Sequence, residues 1–449
     1  MVKIASLGKA IGDPVAAANF PETVLRLRND RWAAAVGLDG LSGETWLRHF
    51  GRFEPLPDNL PQPLALRYHG HQFRVYNPEI GDGRGFLFAQ LLDGADRLLD
   101  LATKGSGTTP YSRRGDGRLT LKGGVREILA TEMLEALGVE TSKSFSLIET
   151  GEALHRGDEP SPTRSAVLVR LGHGHIRIGT FQRAAFERNG DFIRELTSYC
   201  LDNFYGAPET DDPGAELMER ATQACARQAA HMVVAGFVHG VLNSDNINVT
   251  GESFDYGPWR FTPQWQPGFT AAYFDEGGLY SFGRQAEAIH WNLAQLAGCL
   301  TLIGESTPLK AAFDRFADHY RDAFVEQFLW RLGFAPRGLE QDMPLIEAAQ
   351  QALTQSGAGL DRFFFDWMGR PGLDDPAYAG ADFAGFRERA AAYEPARGRN
   401  HAYWWGGSPC SMHIEEVEAI WARIAEDDDW APLYGKVDAI RAMSAAYRG

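Results

Sequence analysis

The apolar period of this chain changes once, near residue 180, and that change bounds the folds open to it. From about 66 to 180, short apolar runs are separated by turn residues. G-F-L-F-A-Q-L-L (85–92), then D-G-A-D, then R-L-L-D-L-A-T-K reads as a hairpin ending at Lys104. Further strands are expected at 144–150 and 165–171. One helix interrupts this half, over about 119–137. There Val125, Ile128, Leu129, Met133, Leu134 and Leu137 recur at three- and four-residue spacing, and Gly138 supplies the stop. After 181 the period is helical. A long amphipathic segment spans 216–235, and helical patterns return at 285–303, 308–332, 343–355 and 413–426. Residues 251–285 read as a long ordered loop and 369–382 as a Gly/Pro/Asp-rich connection. Residues 1–65 mix short helical stretches with the breakers Pro55, Pro57, Pro61 and Pro63. The expected class is α+β, with a sheet-rich first part and a helical second part.

Between two helical stretches lies H-G-V-L-N-S-D-N (239–246), followed by Asp255 heading D-Y-G. The spacing resembles that of a protein-kinase catalytic centre, in which Asn and Asp oxygens hold Mg²⁺ against nucleotide phosphates. The proton acceptor of such a centre would stand two residues after the histidine. That position is Val241 here, which cannot accept a proton, and the nearby carboxylate is Asp245, beside Asn246. A kinase-type site with its base moved is expected to carry out altered phosphorus chemistry.

Upstream residues fall in the matching order. Gly81, Gly83 and Gly85 alternate in I-G-D-G-R-G, where backbone N–H groups can approach phosphates and Arg84 adds a guanidinium fork, although a tight hairpin turn would use the same glycines. Lys104 at a strand end has two candidate partners on the following helix, Glu127 and Glu132, which differ by roughly 140° around the axis, so only one can face it. T-T-P-Y-S-R-R-G-D-G-R (108–118) is either an exposed loop or a ligand-facing one that presents Asp116 and the Gly117 amide. Arg170 and Arg177 flank a glycine-containing turn and could clamp terminal phosphates. The pairs His69/His71 and His173/His175 have H-x-H spacing, but no thiol or carboxylate cluster accompanies them, so zinc is not expected.

The net charge of −15 argues against a nucleic-acid backbone as main partner, while leaving room for a local basic pocket. Four dispersed cysteines (Cys200, Cys225, Cys299, Cys410) fit a reducing compartment. The N-terminus lacks an apolar core of signal-peptide length and no later run could span a bilayer, so no membrane partner and a cytoplasmic location are expected.

Taken together, L-R-Y-H-G-H-Q-F, I-G-D-G-R-G, the 104–118 stretch, R-E-I-L-A-T-E-M-L-E-A-L-G-V, H-G-V-L-N-S-D-N, D-Y-G-P-W, W-N-L-A-Q-L-A (291–297) and N-F-P-E-T (19–23) resemble the selenoprotein O family, over about residues 19–300. The resemblance implies a bilobal protein-kinase-like fold. Residues 1–65 would be an N-terminal extension packing on the lobes, 66–180 a nucleotide-binding lobe, and 181–449 a helical lobe with the metal and catalytic motif and a C-terminal extension. It implies transfer of AMP from ATP to Ser, Thr or Tyr hydroxyls of proteins, the chain itself being one candidate target, with the nucleotide flipped so that its α-phosphorus faces the acceptor. By motif, Gly81, Gly83, Arg84, Lys104, Asp116, Gly117, Arg170, Arg177 and Asp255 would contact ATP, and Glu127 would orient the lysine. Asp245 would be the proton acceptor, and Asn246 and Asp255 would ligate Mg²⁺. UMP transfer from UTP with Mn²⁺, and a non-catalytic nucleotide-sensing pseudokinase scaffold, are the alternatives.

Overall fold

The computed structural model describes residues 2–157, 159–207, 210–369, 372 and 375–449. Its strands are β1 (Gly12–Pro14), β2 (Val24–Arg28), β3 (Leu64–Leu66), β4 (Gly70–Gln72), β5 (Val75–Asn77), β6 (Leu87–Leu92), β7 (Leu98–Lys104), β8 (Leu119–Thr120), β9 (Lys143–Leu154), β10 (Thr163–Gly172), β11 (Phe237–Val238) and β12 (Arg260–Phe261). Eight of them form one antiparallel sheet in the order β1-β3-β6-β7-β10-β9-β2, with β8 added on β10. Register shifts between Arg164 and Ala166 and between Val169 and Arg170 interrupt the β9/β10 ladder, and such bulges add twist and curl the sheet. The sheet begins earlier in the chain than the sequence reading allows, because β1, β2 and β3 all precede residue 67.

Strand alternation sorts this sheet into two faces. Leu99, Leu101, Val167, Val169 and Leu171 point to one side and bury against Phe20, Trp46, Phe50 and Phe53 from the N-terminal segment. Ala166 and Leu168 point to the other side, against the helix Leu121–Ala136. Thr120 caps that helix by accepting from the Gly123 N–H, and Gly138 follows its end at φ 79°, as its stop role requires. The far side of the helix is covered by the C-terminal helices Ile414–Asp427 and Ala431–Arg448, through Val417, Ile420, Leu433, Val437 and Ile440.

The remaining helices build the second half. Pro213–Val234, capped by Asp212, lies beside Gln285–Leu300 and Phe316–Leu332. The segment 308–332 is not one helix but parts of two, Ser306–Asp314 and Phe316–Leu332, separated at Arg315. Of the connection at 369–382, residues 370, 371, 373 and 374 lie outside the described residues. Its later part holds a turn at Pro376–Tyr378 and the start of the helix Ala381–Ala390. Among the described residues no helix is long and apolar enough to cross a membrane.

Candidate functional site

The 239–259 loop is closed by β11 pairing with β12, so its two ends meet. Backbone bonds seat it on the first half of the chain: Ile178 N–H donates to Ile247 O, Val249 N–H to Ile176 O, each at 3.0 Å, and Ser142 N–H to Ser253 O at 2.9 Å. Inside the loop, the Val241 N–H donates to His239 Nδ1 at 3.4 Å, so Nε2 carries the proton it gives to Phe254 O at 3.0 Å. Burial holds His239 below the ordinary imidazole range, which keeps the ring neutral in this bridging role. Val241 itself contributes only backbone, its carbonyl accepting from Asn246 Nδ2 at 3.0 Å. With its nitrogen committed, the Asn246 amide oxygen is left over, and it accepts no hydrogen bond among the described residues. Asp255 stands at φ 64°, a left-handed conformation that Asp tolerates better than most residues and that recurs at functional sites.

The β7/β10 register explains how two cations reach Asp255. Lys104 lies opposite Leu168 and Ala102 opposite Arg170, which puts Lys104 and Arg170 diagonally on one face. Lys104 Nζ contacts Glu127 Oε1 and reaches Asp255 Oδ1 at 2.7 Å, and Arg170 reaches the same oxygen at 3.2 Å. Burial pushes the Asp255 carboxyl up, but Lys104, Arg170 and Arg84 together hold it well below the usual carboxylate range. About a quarter of its side chain (26%) still faces the opening, so a ligand can reach it. Glu132, the rival partner, points the other way and pairs with Arg441 at 2.7 Å, tying the C-terminal helix to the helix that carries Glu127.

Asp245 is held by residues the motif reading missed. The β4–β5 hairpin lies on the 243–246 turn, with His71 N–H donating to Ser244 Oγ at 2.7 Å and Phe73 N–H to Asn243 Oδ1 at 3.0 Å. A Cβ at Gly70 would stand 3.1 Å from both Cβ and Oδ1 of Asp245, so a larger residue there would press that carboxylate out of place by a few tenths of an ångström. Asp245 Oδ1 is buried without a hydrogen-bond partner among the described residues. Burial pushes its carboxyl up to about 6, against the pull of Arg177 and of the hydrogen bond from Gln72. Arg177 in turn lies over the Tyr68 ring (4.2 Å), bonds Asp82 at 3.0 Å and donates to Asp245 O at 3.2 Å. Tyr68, Gly70 and Gln72 all come from L-R-Y-H-G-H-Q-F and Asp82 from I-G-D-G-R-G, so their signal lay in stretches already singled out.

These groups open on one cavity of about 700 Å³. Gly81, Gly83, Arg84, Lys104, Asp116, Gly117, Arg170, Arg177, Asp245 and Asp255 line it. Glu127 and Asn246 are not among the lining residues, although Glu127 pairs with Lys104, which is. The lining carries eight Arg or Lys against four Asp, an inversion of the chain's overall charge that suits a polyanion. The 108–118 loop is neither free nor disengaged. Ser112 Oγ donates to Gly83 O, and a Cβ at Gly81 would come within 2.5 Å of the Tyr111 ring, so the glycine turn is shaped by contact with this loop. The Asp116 carboxylate is not freely presented, because Arg156 grips both of its oxygens at 2.8 and 3.1 Å. His173 meets the carbonyls of Leu98 and Phe204, His69 the hydroxyl of Tyr76, and His71 the amide of Gln182. His175 is buried 3.4 Å from Asp100.

The donor set fits a hard cation: an ionised, partly open carboxylate on Asp255 and an uncommitted amide oxygen on Asn246. Among the described residues no group of three or more His, Cys, Asp or Glu could hold a metal, so phosphate and water oxygens would complete such a coordination sphere.

Comparison with known proteins bears on this site. The family model described as protein adenylyltransferase SelO matches residues 1–370, beyond the 19–300 over which the motifs were recognised. A protein nucleotidyltransferase YdiU of Gloeobacter violaceus is 43% identical over 97% of this chain and 94% of its own length. Proteins of the same name from Synechococcus elongatus (41%, over 96% and 92%) and Trichodesmium erythraeum (38%, over 96% and 96%) are similar throughout. On the extent of these matches, the chain belongs to the SelO family of nucleotidyltransferases.

Proposed function

We propose that this chain transfers AMP from ATP to Ser, Thr or Tyr hydroxyls of proteins, itself among the candidates, and releases pyrophosphate in the cytoplasm. One observation carries the reading: a buried carboxylate with a free oxygen, Asp245, opens on the same cation-rich cavity as Asp255, Lys104 and Arg170. The pair of Lys104 with Glu127, and the order of glycine turn, lysine, glutamate, Asn246 and Asp255, support a bilobal kinase-like plan. In that plan residues 1–65 are an extension, 66–180 the nucleotide-binding lobe and 181–449 the helical lobe with the catalytic motif and a C-terminal extension.

In this mechanism the acceptor oxygen attacks the α-phosphorus, the bond from that phosphorus to the oxygen bridging to the β-phosphate breaks, and pyrophosphate leaves. The hydroxyl proton passes to Asp245, whose carboxyl near 6 is ionised at neutral pH yet basic enough to accept it. Arg84, Lys104, Arg170 and Arg177 offset charge on the departing half, Gly81, Gly83, Asp116 and Gly117 contact the nucleotide from the glycine turn and the facing loop, and Glu127 keeps Lys104 aimed. A divalent ion on Asn246 and Asp255, Mg²⁺ in this reading and Mn²⁺ as the alternative, supplies charge neutralisation at the phosphate oxygens. Every other part is positioning, the main resource of phosphoryl and nucleotidyl transfer.

The test is incubation of the full chain and a mixed protein acceptor, with Mg²⁺ or Mn²⁺, and with ATP labelled at either the α- or the γ-phosphate or UTP labelled at the α-phosphate, followed by intact-mass analysis. The α-label on protein, lost in Asp255→Ala, is expected. The γ-label on protein would mean ordinary phosphoryl transfer, label from UTP alone would mean UMP transfer, and no label with intact nucleotide binding would mean a pseudokinase scaffold.

A further inference from the structure

The nucleotide cavity does not end at Lys104. A second hollow of about 540 Å³ shares Arg84, Lys104, Arg118 and Arg156 with it, the last two already paired with Glu152 and Asp116, and runs between the helix Leu121–Ala136 and the segment that follows Asp255. Its lining carries seven Arg or Lys against two Glu, in a chain of net charge −15. On the helix side stand Lys122 and Arg126, with Arg260 contributed by β12. Lys122 already holds a carboxylate, that of Glu418 at 2.7 Å, while Arg260 has no acidic partner among the described residues.

The opposite wall is aromatic. Tyr273 is 86% exposed and Phe274 47%, two large apolar rings in edge-to-face contact. Phe274 packs on Phe73 at 5.8 Å between centroids, and the Phe73 N–H is the one bonded to Asn243, two residues before Asp245. Phe73 and Arg74 form the two-residue turn of the β4–β5 hairpin, and both have positive φ (50° and 64°). Such turns favour Asn-Gly, and an aromatic there is strained. Asn243 and the ion pair of Arg74 with Glu287 (2.9 Å) hold the turn, which keeps an aromatic shelf next to the Asp245 motif.

We propose that this hollow docks the acceptor protein, taking an extended hydroxyl-bearing segment flanked by acidic residues. The proposal rests on the transfer reading above and adds the class of acceptor. Carboxylates would bond the Arg260 side of the groove, and an apolar side chain would cover Tyr273 and Phe274. The groove is continuous with the nucleotide cavity through Arg84 and Lys104, so a bound segment can present its hydroxyl towards Asp245.

The test uses the full chain and two fluorescent peptides, a serine flanked by glutamates with one leucine and a twin with lysines in place of the glutamates. Anisotropy should show the acidic peptide binding about ten-fold more tightly or better, with that preference shrinking as salt rises. Arg260→Glu should weaken it about ten-fold and Tyr273→Ala about three-fold or more, with unchanged melting temperature and unchanged ATP affinity. Equal binding of the two peptides, or no effect of Arg260→Glu, overturns the proposal. So does a loss of ATP affinity in these variants, because the hollow would then hold the nucleoside. If the acidic peptide binds as expected but no α-label ever reaches protein, the transfer reading falls and the docking surface stands. Transfer without any charge preference gives the reverse.

Discussion

Replacing Asp245 by Asn should make this protein more stable and inactive at the same time. The structure buries the carboxylate, leaves Oδ1 unpartnered and raises its pKa from 3.8 to about 6. The folded chain therefore binds this proton more tightly than the unfolded chain. The stability tied to it is fully present below about 3.8 and lost as pH rises through about 6. At ~1.36 kcal/mol per pH unit, the burial costs the wild type about 3 kcal/mol at pH 8 and about half of that at pH 5. Asn carries no charge and escapes the penalty. For 449 residues, an unfolding entropy of about 2.1 cal/mol/K per residue converts 3 kcal/mol to roughly 3 °C in Tm. Thermal melts of Asp245→Asn against wild type should thus differ by about 3 °C at pH 8 and about half that at pH 5, with the variant higher at both. Turnover should fall about 10²- to 10⁴-fold, the range expected for a lost general base. In the wild type, the rate should rise with pH up to about 6 and then level. A variant no more stable than wild type at pH 8, or a Tm gap independent of pH, would refute the account of this carboxylate.

Three further outcomes follow from the site's geometry. Lys104→Ala leaves Glu127 buried without its cation, while Asp255 keeps Arg170, so a stability loss of about 3–5 kcal/mol in urea melts is expected alongside lost nucleotide binding. Gly81→Ala drives a Cβ into the Tyr111 ring and must displace the facing loop, so KM for the nucleotide should rise about ten-fold with little change in far-UV dichroism. Gly70→Ala crowds Asp245 at 3.1 Å, and because a few tenths of an ångström suffice to misplace a base, kcat should drop about ten-fold or more while nucleotide affinity holds.

Much of this architecture was legible because it is written in local chemistry. The hairpin ending at Lys104, the helix with Glu127 and its Gly138 stop, and the long helix before the motif each follow from apolar period, caps and turn residues within a dozen or two neighbours. β2 was missed although V-L-R-L-R alternates as an edge strand should, because its partner β9 lies far along the chain. The part after 382 reads as helical with 413–426 its clearest element, and the structure agrees, but the helix Leu360–Trp367 is not legible for a related reason, since its burial depends on surfaces supplied by remote segments.

Which oxygens and cations are available, and in what order they occur, is a property of the linear chain alone. Long-range contacts select Glu127 over Glu132, give Asp116 to Arg156, and bring Tyr68, Gln72 and Asp82 to the site. They also set Arg170 on Asp255, 85 positions further along the chain. Spacing in a chain fixes what lies on one turn or one strand. Charge pairing acts through space over a few ångströms, so it depends on which distant elements pack together.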